Sequence, residues 1–348
     1  MTETLIGSPI SVWRSPEPFV LESGEILPEL TLAYRTWGPL APSHNNVVWI
    51  CHALTGSSDA ADWWSGLVGP GRVIDTNRFH VVCVNMIGSC YGSTGPTFDD
   101  VRTGLPFCAD FPLITIRDQV RAFDLLRQSL NIATINILIG GSMGGQQVLE
   151  WAALRPDVVQ TIVPIATNAQ HSPWAVAFNA AQRMALEADP TFFERRLDGG
   201  RRGMAAARAV AMLSYRTSVL YNYRQREDED RPREGLRADR YQRYQGDKLI
   251  ERFSPHAYHA LSRTMDSHDI GRDRGGVGTV LRAVTARAVV VGISSDILFP
   301  EAEQHFIADQ VRHGTYFRLT SPNGHDAFLL DQDKLDRILR TSRVFVTS

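Results

Sequence analysis

The sequence of 348 residues contains few cysteines, no long apolar run and almost no net charge. The four cysteines, Cys51, Cys83, Cys90 and Cys108, have no CxxC spacing. We therefore expect reduced thiols, and no disulfide framework or metal site. No stretch approaches the roughly 18 uninterrupted apolar residues typical of a membrane helix. The net charge of −2 gives no reason to expect a nucleic acid or an anionic membrane surface as a partner.

The N-terminal segment, Met1 to Pro18, carries polar and charged residues throughout its length. It lacks the basic start and the apolar stretch of a signal peptide, so we expect a cytoplasmic protein. A chain of this length favours either one large domain with an insertion or two domains.

Short apolar runs separated by helical patterns indicate an α/β protein with a doubly wound, mostly parallel sheet. Before these runs, Leu30–Tyr34 has the alternation of an antiparallel edge pair, and Thr315–Leu319 is the last strand candidate. Helices are predicted over Thr115–Leu130, Gln146–Leu154 and Lys334–Arg340. The apolar runs are Val47–Cys51, His80–Val84, Ile135–Ile139, Thr161–Ile165 and Ala288–Ile293.

The segment 168–276 contains no apolar run of this kind. It instead has helical patterns at Ala175–Ala188 and Gly203–Leu213, followed by the charge-dense run Arg224–Arg243. Its first part, residues 224–234, has charges of mixed sign, so we predict a solvated or mobile loop there and not a binding patch. The sequence thus predicts a core domain over 1–167 and 277–348, with a helical cap domain over 168–276.

The motif Gly140-Gly141-Ser142-Met143-Gly144-Gly145 follows directly on a predicted strand and opens a predicted helix. This is the pattern of a nucleophile elbow, in which small neighbours let strand and helix approach closely around a strained serine. Glycine-rich turns also bind phosphates, but a dinucleotide motif would need glycine in place of Ser142. A P-loop would need Gly-Lys-Ser/Thr, which this motif lacks.

An elbow of this type predicts an acid and then a histidine, each following a later strand. Asp296 follows the run Ala288–Ile293, and His325 lies in the loop after Thr315–Leu319. A single aspartate after a strand is more often a turn residue, but three residues in the required order are hard to obtain by chance. The sequence therefore predicts an α/β-hydrolase fold with Ser142, Asp296 and His325 as its catalytic triad.

The oxyanion formed at such a serine needs two hydrogen-bond donors. One is expected to be the N–H of Met143, which follows the nucleophile. The other is expected in the loop after Val47–Cys51, where the N–H of Leu54 is our candidate. We expect His52 to shape this loop and not to act as a second base.

Several blocks, spread from about residue 30 to about residue 330, resemble those of the homoserine O-acetyltransferase family. The elbow alone is generic to hydrolases, whereas the cap blocks and the Gly-Ser-Thr-Gly-Pro block are specific to this family. The blocks are His52-Ala-Leu-Thr-Gly56, Gly88-Ser-Cys-Tyr-Gly-Ser-Thr-Gly-Pro96, Phe111-Pro-Leu-Ile-Thr-Ile-Arg-Asp118, Gly140-Gly-Ser-Met-Gly-Gly145, Tyr244-Gln-Gly-Asp-Lys248, Asp266-Ser-His-Asp-Ile-Gly-Arg272 and Gly324-His-Asp326.

The resemblance implies transfer of an acetyl group from acetyl-CoA to the hydroxyl of L-homoserine, through an acyl-serine, in methionine biosynthesis. It implies that Arg216, in Ser214-Tyr-Arg-Thr217, pairs with the carboxylate of the amino acid and that Asp326 holds its ammonium group. It further implies a homodimer formed through the cap, and no cofactor other than the acyl-CoA substrate.

Two departures from the family pattern leave alternatives open. Ser89 stands where the family more often has glycine, and Gln146-Gln147 follow the elbow where many members have methionine or alanine. Relatives with the same architecture use succinyl-CoA or acylate serine. An esterase with the same triad would leave Arg216 and Asp326 without a role, and a non-catalytic scaffold usually lacks a triad member.

Overall fold

The computed structural model describes residues 8–228 and 232–346, which contain an eight-stranded sheet. We number its strands in chain order, and they lie in the order β1-β2-β4-β3-β5-β6-β7-β8. The β1–β2 and β2–β4 pairs are antiparallel, and all the other pairs are parallel. The strands are β1 (Ser11–Arg14), β2 (Thr31–Trp37), β3 (Val47–Cys51), β4 (His80–Val84), β5 (Ile135–Gly141), β6 (Val159–Ile165), β7 (Arg287–Ile293) and β8 (Gly314–Leu319).

Both faces of the sheet are buried, which explains the continuous apolar runs. Trp49 packs into a cluster with Phe123 and Trp151 on one face. Its neighbours Val48 and Ile50 pack into the other cluster, on the opposite face. Successive side chains of a strand point to opposite faces, so a strand covered on both sides must be apolar at every position. The predicted doubly wound, mostly parallel sheet is confirmed.

Helices cover the sheet and also fill the long connection between β6 and β7. Those outside this connection are α1 (Ala60–Trp63), α2 (Ile116–Ser129), α3 (Met143–Leu154), α10 (Glu301–Gln310), α11 (Ala327–Leu330) and α12 (Gln332–Thr341). Those within it are α4 (Pro173–Glu187), α5 (Arg201–Tyr215), α6 (Ser218–Arg224), α7 (Arg237–Ile250), α8 (Pro255–Asp266) and α9 (Val277–Ala283). In the described part of the chain, no helix is long and apolar enough to cross a membrane.

The helices of the connection pack mainly on one another. Helix α5 lies against both α4 and α7, and α4 also contacts α8. The backbone before α4 and the backbone after α8 lie side by side, and the N–H of His171 donates to the carbonyl of His268 there at 2.8 Å. We refer to α4–α8 as the cap helices. The division into domains at residues 168 and 276 stays a prediction.

The loop predicted over residues 224–234 begins where α6 ends, at Arg224. The rest of the charged run lies in α7, which begins at Arg237 and was not predicted. An ion pair between Asp239 and Arg243, one helical turn apart, supports this exposed helix. The part of that run at residues 229–231 lies outside the described residues. The edge strand β1 was also not predicted, because its four residues are too few for a clear alternation.

Three buried histidines lie in loops: His52 after β3, His171 before α4 and His268 after α8. Burial lowers the pKa of His52 to about 4, that of His171 to about 4 and that of His268 to about 3. The Nε2 of His268 faces the carbonyl oxygen of Asn168 at 2.9 Å, whereas Nδ1 has no partner in the described residues. A second proton on this ring would therefore be buried without an acceptor.

We expect the free energy of unfolding to decrease as the pH falls from about 6.5 towards about 4. Histidines in the unfolded chain bind protons in this range while the buried ones do not, so acid favours the unfolded state. Urea unfolding at several pH values measures this slope. His268→Gln should make the slope shallower, and the exposed control His313→Gln should leave it unchanged; equal slopes in all three proteins would contradict the expectation.

Candidate active site

The turn between β5 and α3 holds Ser142 in a strained backbone conformation. Its φ of 57° and ψ of −125° are rare for a residue with a side chain. A Cβ atom at Gly144 would lie 2.1 Å from the carbonyl oxygen of Cys51, so only glycine allows α3 to approach the end of β3 this closely. The predicted nucleophile elbow has the expected strand, turn and helix.

The structure brings Ser142, His325 and Asp296 into one hydrogen-bonded row. Nε2 of His325 lies 2.9 Å from Oγ of Ser142, and Nδ1 lies 2.6 Å from Oδ2 of Asp296. All three residues are buried. Since the aspartate is acceptor-only when ionised, it holds the proton on Nδ1 and leaves Nε2 free to accept from the serine hydroxyl.

The acid and the histidine are each fixed by their own loops. Oδ1 of Asp296 accepts from the N–H groups of Leu298 and Phe299, at 2.8 and 3.0 Å. The histidine loop turns at Gly324, whose φ is 66° and whose N–H donates to Oγ of Ser295 at 3.0 Å. These bonds involve both loops at the strand ends, and they prevent the carboxylate from rotating away from the imidazole.

Aromatic rings enclose His325. The ring centroids of Tyr215, Phe299 and Phe328 lie 5.7, 5.1 and 5.6 Å from that of the imidazole. Burial among them lowers the pKa of His325, but the charge and hydrogen bond of Asp296 and the charge of Asp326 outweigh it. The net effect raises the pKa above its ordinary value of 6.5. The site therefore stabilises an imidazolium, the species that forms when the serine loses its proton.

The two predicted oxyanion donors lie in segments that meet at the elbow. Met143 is the first residue of α3, where N–H groups have no acceptor within the helix. Leu54 is buried in the loop after β3, and that loop begins at the Cys51 carbonyl that touches Gly144. Nε2 of His52 accepts from the N–H of Met86 at 3.3 Å, so this nitrogen is not free to accept a proton from Ser142.

Arg216 and Asp326 form an ion pair beside His325. Nη1 of Arg216 lies 3.0 Å from Oδ2 of Asp326, and each side chain is 16% exposed. The contact lacks hydrogen-bond alignment, because Nη1 is buried without a hydrogen-bond acceptor in the described residues. Arg216 also lines a cavity of about 190 Å³ together with Tyr221, Arg224 and other side chains.

Across the described residues, no cluster of His, Cys, Asp or Glu could hold a metal ion.

Arg252, between α7 and α8, was not predicted from the sequence. Its Nη1 donates to the carbonyl oxygen of Thr55 at 2.8 Å and contacts Oη of Tyr91 at 3.0 Å. The only sequence signal is its position four residues after the block that ends at Lys248, because nothing local to an exposed arginine indicates a contact about 200 residues away.

A serine elbow with a hydrogen-bonded histidine and aspartate at the strand ends of this sheet defines the α/β hydrolases. The family model of the alpha/beta hydrolase fold matches residues 46–332 of the chain. Among solved structures, esterase E22 superposes with a TM-score of 0.87 at 22% identity, covering 96% of this chain and 99% of its own. A homoserine O-acetyltransferase from Bacillus anthracis superposes with a TM-score of 0.89 at 21% identity, covering 97% and 98%. At these identities the likeness concerns the fold.

Sequence comparison identifies the family more narrowly. The homoserine O-acetyltransferase of Cyclobacterium marinum is 43% identical over 330 residues, which cover 95% of this chain and 94% of that protein. This chain belongs to the homoserine O-acetyltransferase family, and the resemblance found in the sequence is confirmed.

We expect labelling of Ser142 by a fluorophosphonate to increase with pH through a midpoint above 6.5, because only neutral His325 accepts the serine proton. Asp326→Asn removes a negative charge that raises the pKa of this histidine, so it should move the midpoint to lower pH. Labelling rates across pH, read by mass spectrometry, measure both. The exposed control Asp333→Asn should keep the wild-type midpoint, and an unmoved midpoint in Asp326→Asn would refute the electrostatic role.

Proposed function

We propose that the chain is an acyltransferase that moves the acetyl group of acetyl-CoA to the side-chain hydroxyl of L-homoserine. Membership of a family whose relatives share more than 40% identity over nearly the whole chain supports this activity. The observation that carries the mechanism is the Ser142–His325–Asp296 row beside the Arg216–Asp326 ion pair. No cofactor is required, because acetyl-CoA is itself a substrate.

In the first half-reaction His325 accepts the proton of Ser142 while Oγ attacks the thioester carbonyl carbon. The negative charge on the carbonyl oxygen is stabilised by the N–H groups of Met143 and Leu54. The C–S bond then breaks, the imidazolium protonates the leaving thiolate, and acetyl-Ser142 and free CoA remain.

In the second half-reaction homoserine replaces CoA. Its carboxylate binds Arg216, whose guanidinium suits bidentate pairing, and its ammonium group binds Asp326. The 3.0 Å ion pair between these two side chains supports the assignment, because a zwitterionic amino acid offers each of them a partner of the correct sign. His325 accepts the proton of the homoserine hydroxyl, whose oxygen attacks acetyl-Ser142. Ser142 leaves with that proton and the acetyl ester of homoserine is released.

A transferase must keep water away from the acetyl-serine. Ser142 is 5% exposed, and the histidine loop packs against the end of α5: a Cβ at Gly324 would lie 2.7 Å from the carbonyl oxygen of Tyr215. This cover favours transfer over hydrolysis. An esterase is the second candidate, because structures named as esterases share the fold equally well. A succinyl donor or a serine acceptor would keep the same mechanism.

The same proposal includes a homodimer that forms through the cap helices, and a cytoplasmic location. Large apolar side chains are exposed on α4–α7 and support a partner at this face: Met184, Leu213, Val219, Tyr223 and Tyr244. All four cysteines are free, as is usual in a reducing compartment.

We expect purified protein to release free thiol from acetyl-CoA only when homoserine is present, with O-acetylhomoserine detected by mass spectrometry. Serine and succinyl-CoA, tested in the same way, examine the alternative substrates. Ser142→Ala should abolish thiol release while the protein stays folded. Thiol release independent of any amino acid would favour the esterase, and turnover by Ser142→Ala would refute the acyl-serine mechanism.

Arg216→Lys tests the acceptor site. Lysine keeps the charge next to Asp326 but loses the bidentate fork, so homoserine binding should weaken by about 10- to 150-fold, equivalent to about 1.5–3 kcal/mol. Formation of acetyl-Ser142 should continue at nearly the wild-type rate. Rapid-quench mass spectrometry separates the two half-reactions. An equal loss in both would contradict a role in acceptor binding.

A further inference from the structure

The peptide groups of the loop after β3 form a hydrogen-bonded series that ends at Leu54. The carbonyl of Ala53 accepts from the N–H of Gly56 at 2.8 Å and faces Nδ1 of His52 at 2.9 Å. His52 donates here, because its Nε2 is occupied by the N–H of Met86. A trans peptide is planar, with its N–H opposite its C=O. Holding the Ala53 carbonyl therefore also sets the direction of the Leu54 N–H.

The next peptide group of the series is held by Arg252. The carbonyl of Thr55 belongs to the peptide whose N–H is that of Gly56, and it accepts from Nη1 of Arg252 at 2.8 Å. A second, longer contact joins Nη2 to Oγ1 of Thr55 at 3.4 Å. The guanidinium is thus linked to the Leu54 N–H through two peptide groups that accept at the Thr55 and Ala53 oxygens, and the Gly56 N–H of the first donates to the second.

Arg252 is well anchored although it is exposed. Its own N–H donates to the carbonyl of Leu249 at 3.1 Å, at the end of α7. Tyr91 donates from Oη to the carbonyl of Arg252 at 3.0 Å and accepts from Nη1. Among the described residues, no carboxylate forms an ion pair with this guanidinium, so its charge is not neutralised.

We propose that Arg252 is a positioning residue that aligns and polarises the Leu54 N–H for the oxyanion, acting through the Thr55 and Ala53 carbonyls. The inference rests on the proposed acyl transfer and on Leu54 as a donor. Hydrogen bonds in a chain strengthen one another, and a cation at one end pulls electron density away from the donor at the other. Because Arg252 lies between α7 and α8, the cap helices then control the geometry of the oxyanion site.

The test is Arg252→Ala, assayed with p-nitrophenyl acetate as a donor that needs only the triad and the oxyanion donors. Outright loss of an oxyanion donor costs about 10²–10³ in kcat, so misalignment should slow acetylation of Ser142 by about 10-fold. Transfer from acetyl-Ser142 should slow by a similar factor, because the same donors serve both half-reactions. The KM for homoserine should change by less than about twofold.

Guanidinium ions at low millimolar concentration should partly restore the Arg252→Ala rate, since the vacated position is open to solvent. Wild type and Arg240→Ala should not respond; Arg240 is a matched control, because it is exposed and donates from Nη1 to the Gly235 carbonyl at 2.8 Å. The acetylation rate of Arg252→Lys should lie between those of wild type and Arg252→Ala, and this variant serves as the test if Arg252→Ala does not fold.

Unchanged acetylation by p-nitrophenyl acetate in folded Arg252→Ala would overturn the proposal, as would a loss confined to the homoserine KM. If the wild-type protein is acetylated by p-nitrophenyl acetate but releases no thiol from acetyl-CoA in the presence of homoserine, the proposed function is refuted. The comparison of wild type with Arg252→Ala in the ester assay then still decides the role of Arg252.

Discussion

The contact between Gly144 and the carbonyl oxygen of Cys51 is the constraint on which the site depends. It brings the first turn of α3 against the end of β3, closer than any side chain would allow. Ser142 must then turn through a positive φ, which lifts its hydroxyl out of the strand and towards His325. The same contact places the loop that carries Leu54 beside the helix N-terminus that begins at Met143. One close approach thus positions Ser142 and the two N–H groups that we propose as oxyanion donors.

The cap helices complete what the sheet begins. The histidine loop rests on the end of α5, where Gly324 meets the Tyr215 carbonyl, and Thr217 Oγ1 donates to the carbonyl of Pro322 at 2.7 Å. Arg216 follows α5 directly and therefore reaches Asp326 beside His325. The ion pair that we assign to the acceptor amino acid exists because the cap packs on this loop. The proposed acceptor site and the cover over Ser142 therefore have a common structural origin.

Much of this arrangement was predictable because its signals are local. Continuous apolar runs marked the buried strands, and the elbow glycines marked the turn at Ser142. Chain order then selected Asp296 and His325. The helix beginning at Arg237 was not predictable, because its charges resemble those of a solvated loop and its packing against α5 is a tertiary contact. The contact between Arg252 and Thr55 was also beyond sequence reasoning, since it joins residues 197 positions apart.

These two failures have the same physical cause, and it bears on how the site works. Exposed charged residues of the cap are placed by tertiary contacts and not by local pattern, so the sequence of the core alone specifies the triad but not its surroundings. A hydrolase core with this triad needs only the sheet and its loops to attack an ester. Selection of an alcohol over water requires an acceptor site and an ordered oxyanion loop at the same time. In the proposed mechanism both involve residues of the cap, Arg216 at the end of α5 and Arg252 after α7.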